Sequence, residues 1–133
     1  MDRLFCAKSL AKHLETEVYV TPDFATNKDD WRYMYFFKGV HKWGKQPDLK
    51  IGDAFWEIKS YERKFKFGKL SAMMQNIVRG EQSTNMIVRL NHEVNIENVK
   101  HSLLNRLNSS AKNKAYIRKI SIVDKAGAIH EVL

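Results

Sequence analysis

The sequence predicts an α+β fold: a small, mostly antiparallel twisted β-sheet with an N-terminal helix and two further helices packed on it. Three observations carry this. Apolar residues recur at helical spacing in three separate segments. Alternating or continuous apolar runs bounded by turn formers lie between and after them. The two kinds of segment do not alternate strictly, as a parallel α/β sheet would require. The 133 residues are read as one domain.

Leu4, Ala7, Leu10, Ala11 and Leu14 lie at helical spacing, with Arg3, Lys8, Lys12 and Glu15 facing away, which predicts an amphipathic first helix. Val18 to Thr21 reads as a short strand stopped by Pro22. In the aromatic segment from Asp23 to Gln46, Trp31, Tyr33, Tyr35 and Phe37 alternate with Arg32, Met34 and Phe36, which favours a strand. Pro47–Ile51 and Ala54–Tyr61 flank Gly52-Asp53 and predict a tight hairpin. Glu62–Gly68 is a basic loop. Leu70, Met73, Met74, Ile77 and Val78 mark a second amphipathic helix that ends near Gly80 or Gln82. Met86–Leu90 is a near-continuous apolar strand. Asn95 is placed to cap a third helix, with Glu97 in its first turn and Ile96, Val99, Leu103, Leu104 and Leu107 on one side. Asn108–Lys114 reads as a polar loop, and Ile117–Val123 with Ala128–Leu133 as a closing hairpin.

Composition narrows the function classes. Lys and Arg total 23 against 15 acidic residues, a net charge of +8, which favours a polyanionic partner. Nucleic acid is expected ahead of an anionic membrane, because no basic amphipathic anchor and no apolar stretch of bilayer-spanning length is visible. The first fourteen residues do not form a signal-peptide core. A single cysteine, Cys6, excludes an internal disulfide and offers no metal-ligand spacing, so a reducing, cytoplasmic setting is expected.

The segment from Pro47 to Ser60 holds most of the chemistry. With Gly52-Asp53 as the turn, Leu49 faces Trp56, Lys50 faces Phe55, and Asp48 faces Glu57. Leu49, Ile51, Trp56 and Ile58 then form a core face, and Asp48, Lys50, Glu57 and Lys59 share the other with Phe55. Two carboxylates directly opposed across a hairpin repel, so lysines, a metal ion or a bound phosphate must compensate. A solvated polar sheet face would show the same pattern. Two chemistries fit. In one, Glu57 acts as acid or base on a ribose 2′-hydroxyl while Lys59 stabilises the phosphate charge, with no metal. In the other, Asp48 and Glu57 hold Mg²⁺ and Lys59 positions water, as the pattern Pro-Asp then Glu-x-Lys suggests.

Lys50, Arg63, Lys64, Lys66, Lys69 and Arg79 are the candidate phosphate-binding residues, with Phe65 and Phe67 interleaved for base stacking. On the second helix only the end is expected to reach the site, which selects Gln82, Ser83, Thr84 or Arg79 over Ser71. His41, His92, His101 and His130 are scattered and form no metal-ligand spacing.

The order of elements, the run Pro47-Asp48-x-x-Ile51-Gly52-Asp53-x-x-Trp56-Glu57-x-Lys59-Ser60, the helix ending Gly80-Glu-Gln-Ser83 and the strand Met86–Leu90 resemble one family. It is the C-terminal tRNA-nuclease domain of contact-dependent growth inhibition toxins and related phage head-protein C-terminal domains, of the barnase, EndoU, colicin and RelE-like nuclease superfamily. The resemblance runs from about Leu4 to Leu133 and is densest from Gly44 to Leu90. It implies a metal-independent ribonuclease acting on tRNA, carried at the end of a larger protein, with an immunity or antitoxin protein as a second partner. Asp48, Glu57, Lys59 and Gln82 are the positions carried over. The Asp23–Lys45 insertion is longer and more aromatic than the family pattern. A Mg²⁺-dependent nuclease and a non-catalytic nucleic-acid-binding module are the competing expectations.

Overall fold

The structure, a computed structural model, describes residues 2–21, 35–38, 40, 45–60 and 65–133. Helix α1 (Asp2–Leu14) leads through β1 (Tyr19–Val20) to the hairpin of β2 (Leu49–Ile51) and β3 (Ala54–Ser60). Then come α2 (Lys69–Gly80), β4 (Asn85–Arg89), α3 (Ile96–Asn108), α4 (Ala111–Tyr116), β5 (Lys119–Val123) and β6 (Ile129–Glu131). The α+β expectation holds.

The six strands form one sheet in the order β1-β2-β3-β4-β5-β6. Three of its five pairings are antiparallel, as expected, but the sheet is mixed, because β3 pairs with β4, and β4 with β5, in parallel. The helical connections explain this: α2 carries the chain back along the sheet before β4, and α3 with α4 do so before β5. Inner parallel strands are buried on both faces. All five residues of β4 are buried, which accounts for its unbroken apolar run.

Each face has its own core. Cys6, Ala7 and Leu10 of α1 pack on Leu49, Trp56, Ile87 and Val123. On the other face α2 and α3 supply Leu70, Met73, Met74, Ile77, Val99, Leu103 and Leu107 against Met86, Val88, Ile120 and Ile122. A third, smaller cluster stacks Phe37 on Phe55, ring centroids 5.8 Å apart.

Local chemistry sets the boundaries. The two-residue turn between β2 and β3 places Gly52 at φ +57°, open to a residue without Cβ. Asn95 caps α3 by accepting from the Asn98 N–H at 3.1 Å. Glu81, in the left-handed region at φ 49°, ends α2. Two expectations are corrected. The Asn108–Lys114 loop is largely helix: Ser110 caps α4 by accepting from the Asn113 N–H. Tyr35 and Phe36 are helical rather than extended, and residues 22–34, 39 and 41–44, which carry the rest of the expected strand, lie outside the described residues.

Candidate active site

The hairpin register is Leu49↔Trp56, Lys50↔Phe55 and Ile51↔Ala54, as the turn dictates. Just beyond the β2 ladder, Asp48 turns its carboxylate back onto β3. Its Oδ2 accepts from the Ile58 N–H at 2.9 Å, and its Oδ1 accepts from Arg3 Nε at 2.8 Å. Thr21 holds the backbone of this segment in place, its N–H donating to the Asp48 carbonyl at 3.1 Å and its hydroxyl to the Pro47 carbonyl. Asp48 is therefore fixed from three directions, by the end of β1, by β3 and by α1.

Glu57 lies beside it in mid-strand, paired in register with Met86. The expectation of a solvated sheet face is corrected here, since Glu57 is only 7% exposed. The parallel β4 and the helices over it cover the strand that a hairpin alone would leave wet. Burial pushes the Glu57 carboxyl up to about 9, reinforced by its hydrogen bond to Asp48 and by the charge of that neighbour. Lys59 and Arg3 pull the other way and are outweighed. The shift favours the protonated form of Glu57, which is buried beside a partly buried Asp48.

Lys59 falls two residues after Glu57 and so on the same side of β3, half-buried. Lys50 sits on β2 with its Nζ 5.3 Å from the centre of the Phe55 ring. Asp48, Glu57 and Lys59 are thus brought together, with Lys50 beside Phe55 on the neighbouring strand. Lys66 and Lys69 are exposed at the start of α2, on the end of the sheet to which β3 points. Phe65 packs partly on the core and meets Phe67 edge-on at 4.9 Å. Arg63 and Lys64 lie outside the described residues.

Gln82 and Arg79 lie at the other end of α2, beside the turn that leads into β4. Ser83 and Asn85 there fasten β4 to β3, donating from Oγ at 2.6 Å and Nδ2 at 2.9 Å to the Phe55 carbonyl. Arg79 lines a groove with Glu81, Lys112 and Tyr116. The one site residue that periodicity could not find is Arg3, which reaches Asp48 across 45 positions. Its place on the same side of α1 as the core residues Ala7 and Leu10, at i, i+4, i+7 spacing, was the available signal.

Among the described residues no group of three or more His, Cys, Asp or Glu is arranged to hold a metal, so a cation at the dyad would draw on two carboxylates. No described helix is long and apolar enough to cross a membrane. No family model, curated protein or solved structure matches the chain.

Proposed function

We propose that the chain is a Mg²⁺-dependent nuclease of the PD-(D/E)xK, restriction-endonuclease type, with Asp48 and Glu57 as metal ligands and Lys59 facing the scissile phosphate. The observation that carries this reading is the contact of two carboxyl groups from adjoining chain segments in a water-poor site.

The donor set fits the ion. Mg²⁺ takes oxygen ligands and usually holds several waters and substrate phosphates alongside one or two carboxylates, so two acids suffice. When bound, the ion lowers the pKa of a coordinated water and neutralises charge building on the phosphate. The protein's own residues do the rest. The Ile58 N–H and Arg3 orient Asp48. Glu57 would hold the ion as a carboxylate, its proton passing to solvent. Lys59 places an ammonium next to the acids, where it stabilises a phosphate oxygen in the transition state.

Attack by a ribose 2′-hydroxyl without metal asks for a base and an acid on opposite sides of phosphorus, because entering and leaving oxygens lie in line. Asp48 and Glu57 touch, and therefore act from one side. The substrate class proposed is nucleic acid. Restriction to tRNA, a toxin role and an immunity partner rest on the family resemblance alone.

The test incubates labelled tRNA and a DNA duplex with Mg²⁺ or with EDTA, and repeats the tRNA reaction with deoxyribose at the cut position. Cleavage that needs Mg²⁺ and survives the deoxyribose replacement supports the proposal. Products in EDTA that disappear on that replacement establish the metal-free mechanism instead, and no products under any condition overturn the enzyme reading.

A further inference from the structure

Helix α1 carries a second pattern besides its core face. Phe5, Lys8, Ser9, Lys12 and His13 follow the i, i+3, i+4, i+7, i+8 spacing of one helical stripe. This stripe forms one wall of a groove of about 690 Å³. The opposite wall is Ala126, Gly127, Ala128 and Ile129, from the turn between β5 and β6 and the start of β6.

The two walls meet at Gly127. Its φ is +94°, and a Cβ there would lie 3.0 Å from Ser9 Oγ and 3.1 Å from the Phe5 ring. The turn thus backs onto α1 as closely as a glycine permits, and its small residues leave the groove open above. The charge in the groove has one sign. Lys8 and Lys12 are exposed, four residues apart and so stacked on one side of the helix, where like charges repel. Among the described residues, no acid lines the groove. An acid contact does occur at its far end, where His13 Nε2 is 3.5 Å from Glu131 Oε1. The helix dipole favours Lys12 and His13 in the last turn, but it gives no reason for Lys8 in mid-helix.

We infer that the groove between α1 and the β5–β6 turn binds the phosphate backbone of a nucleic-acid strand. This binding does not rest on the nuclease reading of the dyad. Lys8 and Lys12 contact successive phosphates, and the Ala-Gly-Ala wall leaves room for the strand.

Binding of fluorescein-labelled tRNA and of a labelled DNA duplex is measured by anisotropy in EDTA, over a range of salt, for the wild type and for K8Q/K12Q. Circular dichroism verifies the fold, and K8R/K12R serves as the charge-preserving control. The expected result is at least about tenfold weaker binding for K8Q/K12Q at low salt, with the slope of log Kd against log salt reduced by about 1–2. K8R/K12R keeps the wild-type slope. Loss of binding without any nuclease activity in the wild type would uphold the groove and overturn the enzyme reading. Unchanged affinity and slope in K8Q/K12Q overturn the groove, and point its charge at an acidic protein instead.

Discussion

Asp48 and Glu57 share a hydrogen bond between their carboxyl groups, one at the entry to β2 and the other inside β3. Two acids in contact cannot both ionise without a penalty where one of them is buried. Arg3 and Lys59 reduce the conflict without removing it. The fold holds the pair together because Asp48 is already committed to the Ile58 N–H and to Arg3. The charge left unresolved between the two acids should be measurable in stability, in titration and in metal binding.

Stability should depend on pH. Glu57 is raised in the folded state, so between about pH 4.5 and 9 the native protein holds a proton that the unfolded chain releases. Its contribution is complete below the unfolded value and is lost as pH rises through the folded one. Without divalent cations, the wild type should therefore lose stability across this window. Glu57→Gln keeps a neutral hydrogen-bonding group and should flatten the curve. Thermal melts in EDTA at pH 8 should place the variant above the wild type by at least about 1 kcal/mol, roughly 3–5 °C. A variant that melts lower at pH 8 would show that the carboxyl is ionised there.

Arg3 is exposed enough that its ion pair contributes little to stability. Arg3→Ala should cost at most about 1 kcal/mol. Its effect on the site should be larger, because the variant loses one of the two charges that lower the Glu57 carboxyl. The carboxyl carbon of Glu57, followed by NMR against pH, should titrate at a higher pH in Arg3→Ala than in the wild type. An unmoved titration would place Arg3 outside the site.

Lys59→Ala should lower kcat by about 10²–10³ with KM little changed, if the ammonium acts on charge that develops only in the transition state. Steady-state kinetics on a labelled duplex separates this from a binding role, in which KM would rise alone.

At the opposite end of α2, Ser83 and Asn85 have a structural task. Both donate to the buried Phe55 carbonyl. Ser83→Ala should cost about 1–3 kcal/mol in urea unfolding while leaving cleavage of folded protein unchanged. A loss of kcat without loss of stability would return this turn to the catalytic machinery.

Legibility in the sequence differs from element to element. The β2–β3 register follows from Gly52-Asp53, because a two-residue turn leaves one pairing and side chains alternate from it. The juxtaposition of Asp48 with Glu57 was readable for the same reason. Burial of Glu57 was not, since alternation sorts residues by face and does not say what covers each face. The parallel ladders did leave a trace in the unbroken apolar run of Met86–Leu90, which marks a strand enclosed on both sides. Helix α4 was hidden by its Lys and Asn residues, although Ser110 stood as a cap before it. The helix side of Arg3 was readable, but its partner lies 45 positions away and is set by tertiary packing, which no local pattern encodes.

The assignment of the acid dyad as a metal site meets its sharpest test in calorimetric titration of Mn²⁺ into the protein at pH 7, in two buffers of different ionisation heat. If Glu57 yields its hydrogen to admit a divalent cation beside Asp48, about one proton should leave per ion bound. Glu57→Gln should then show neither the proton release nor wild-type affinity. Binding of equal strength in that variant, or binding with no proton release, would contradict the assignment.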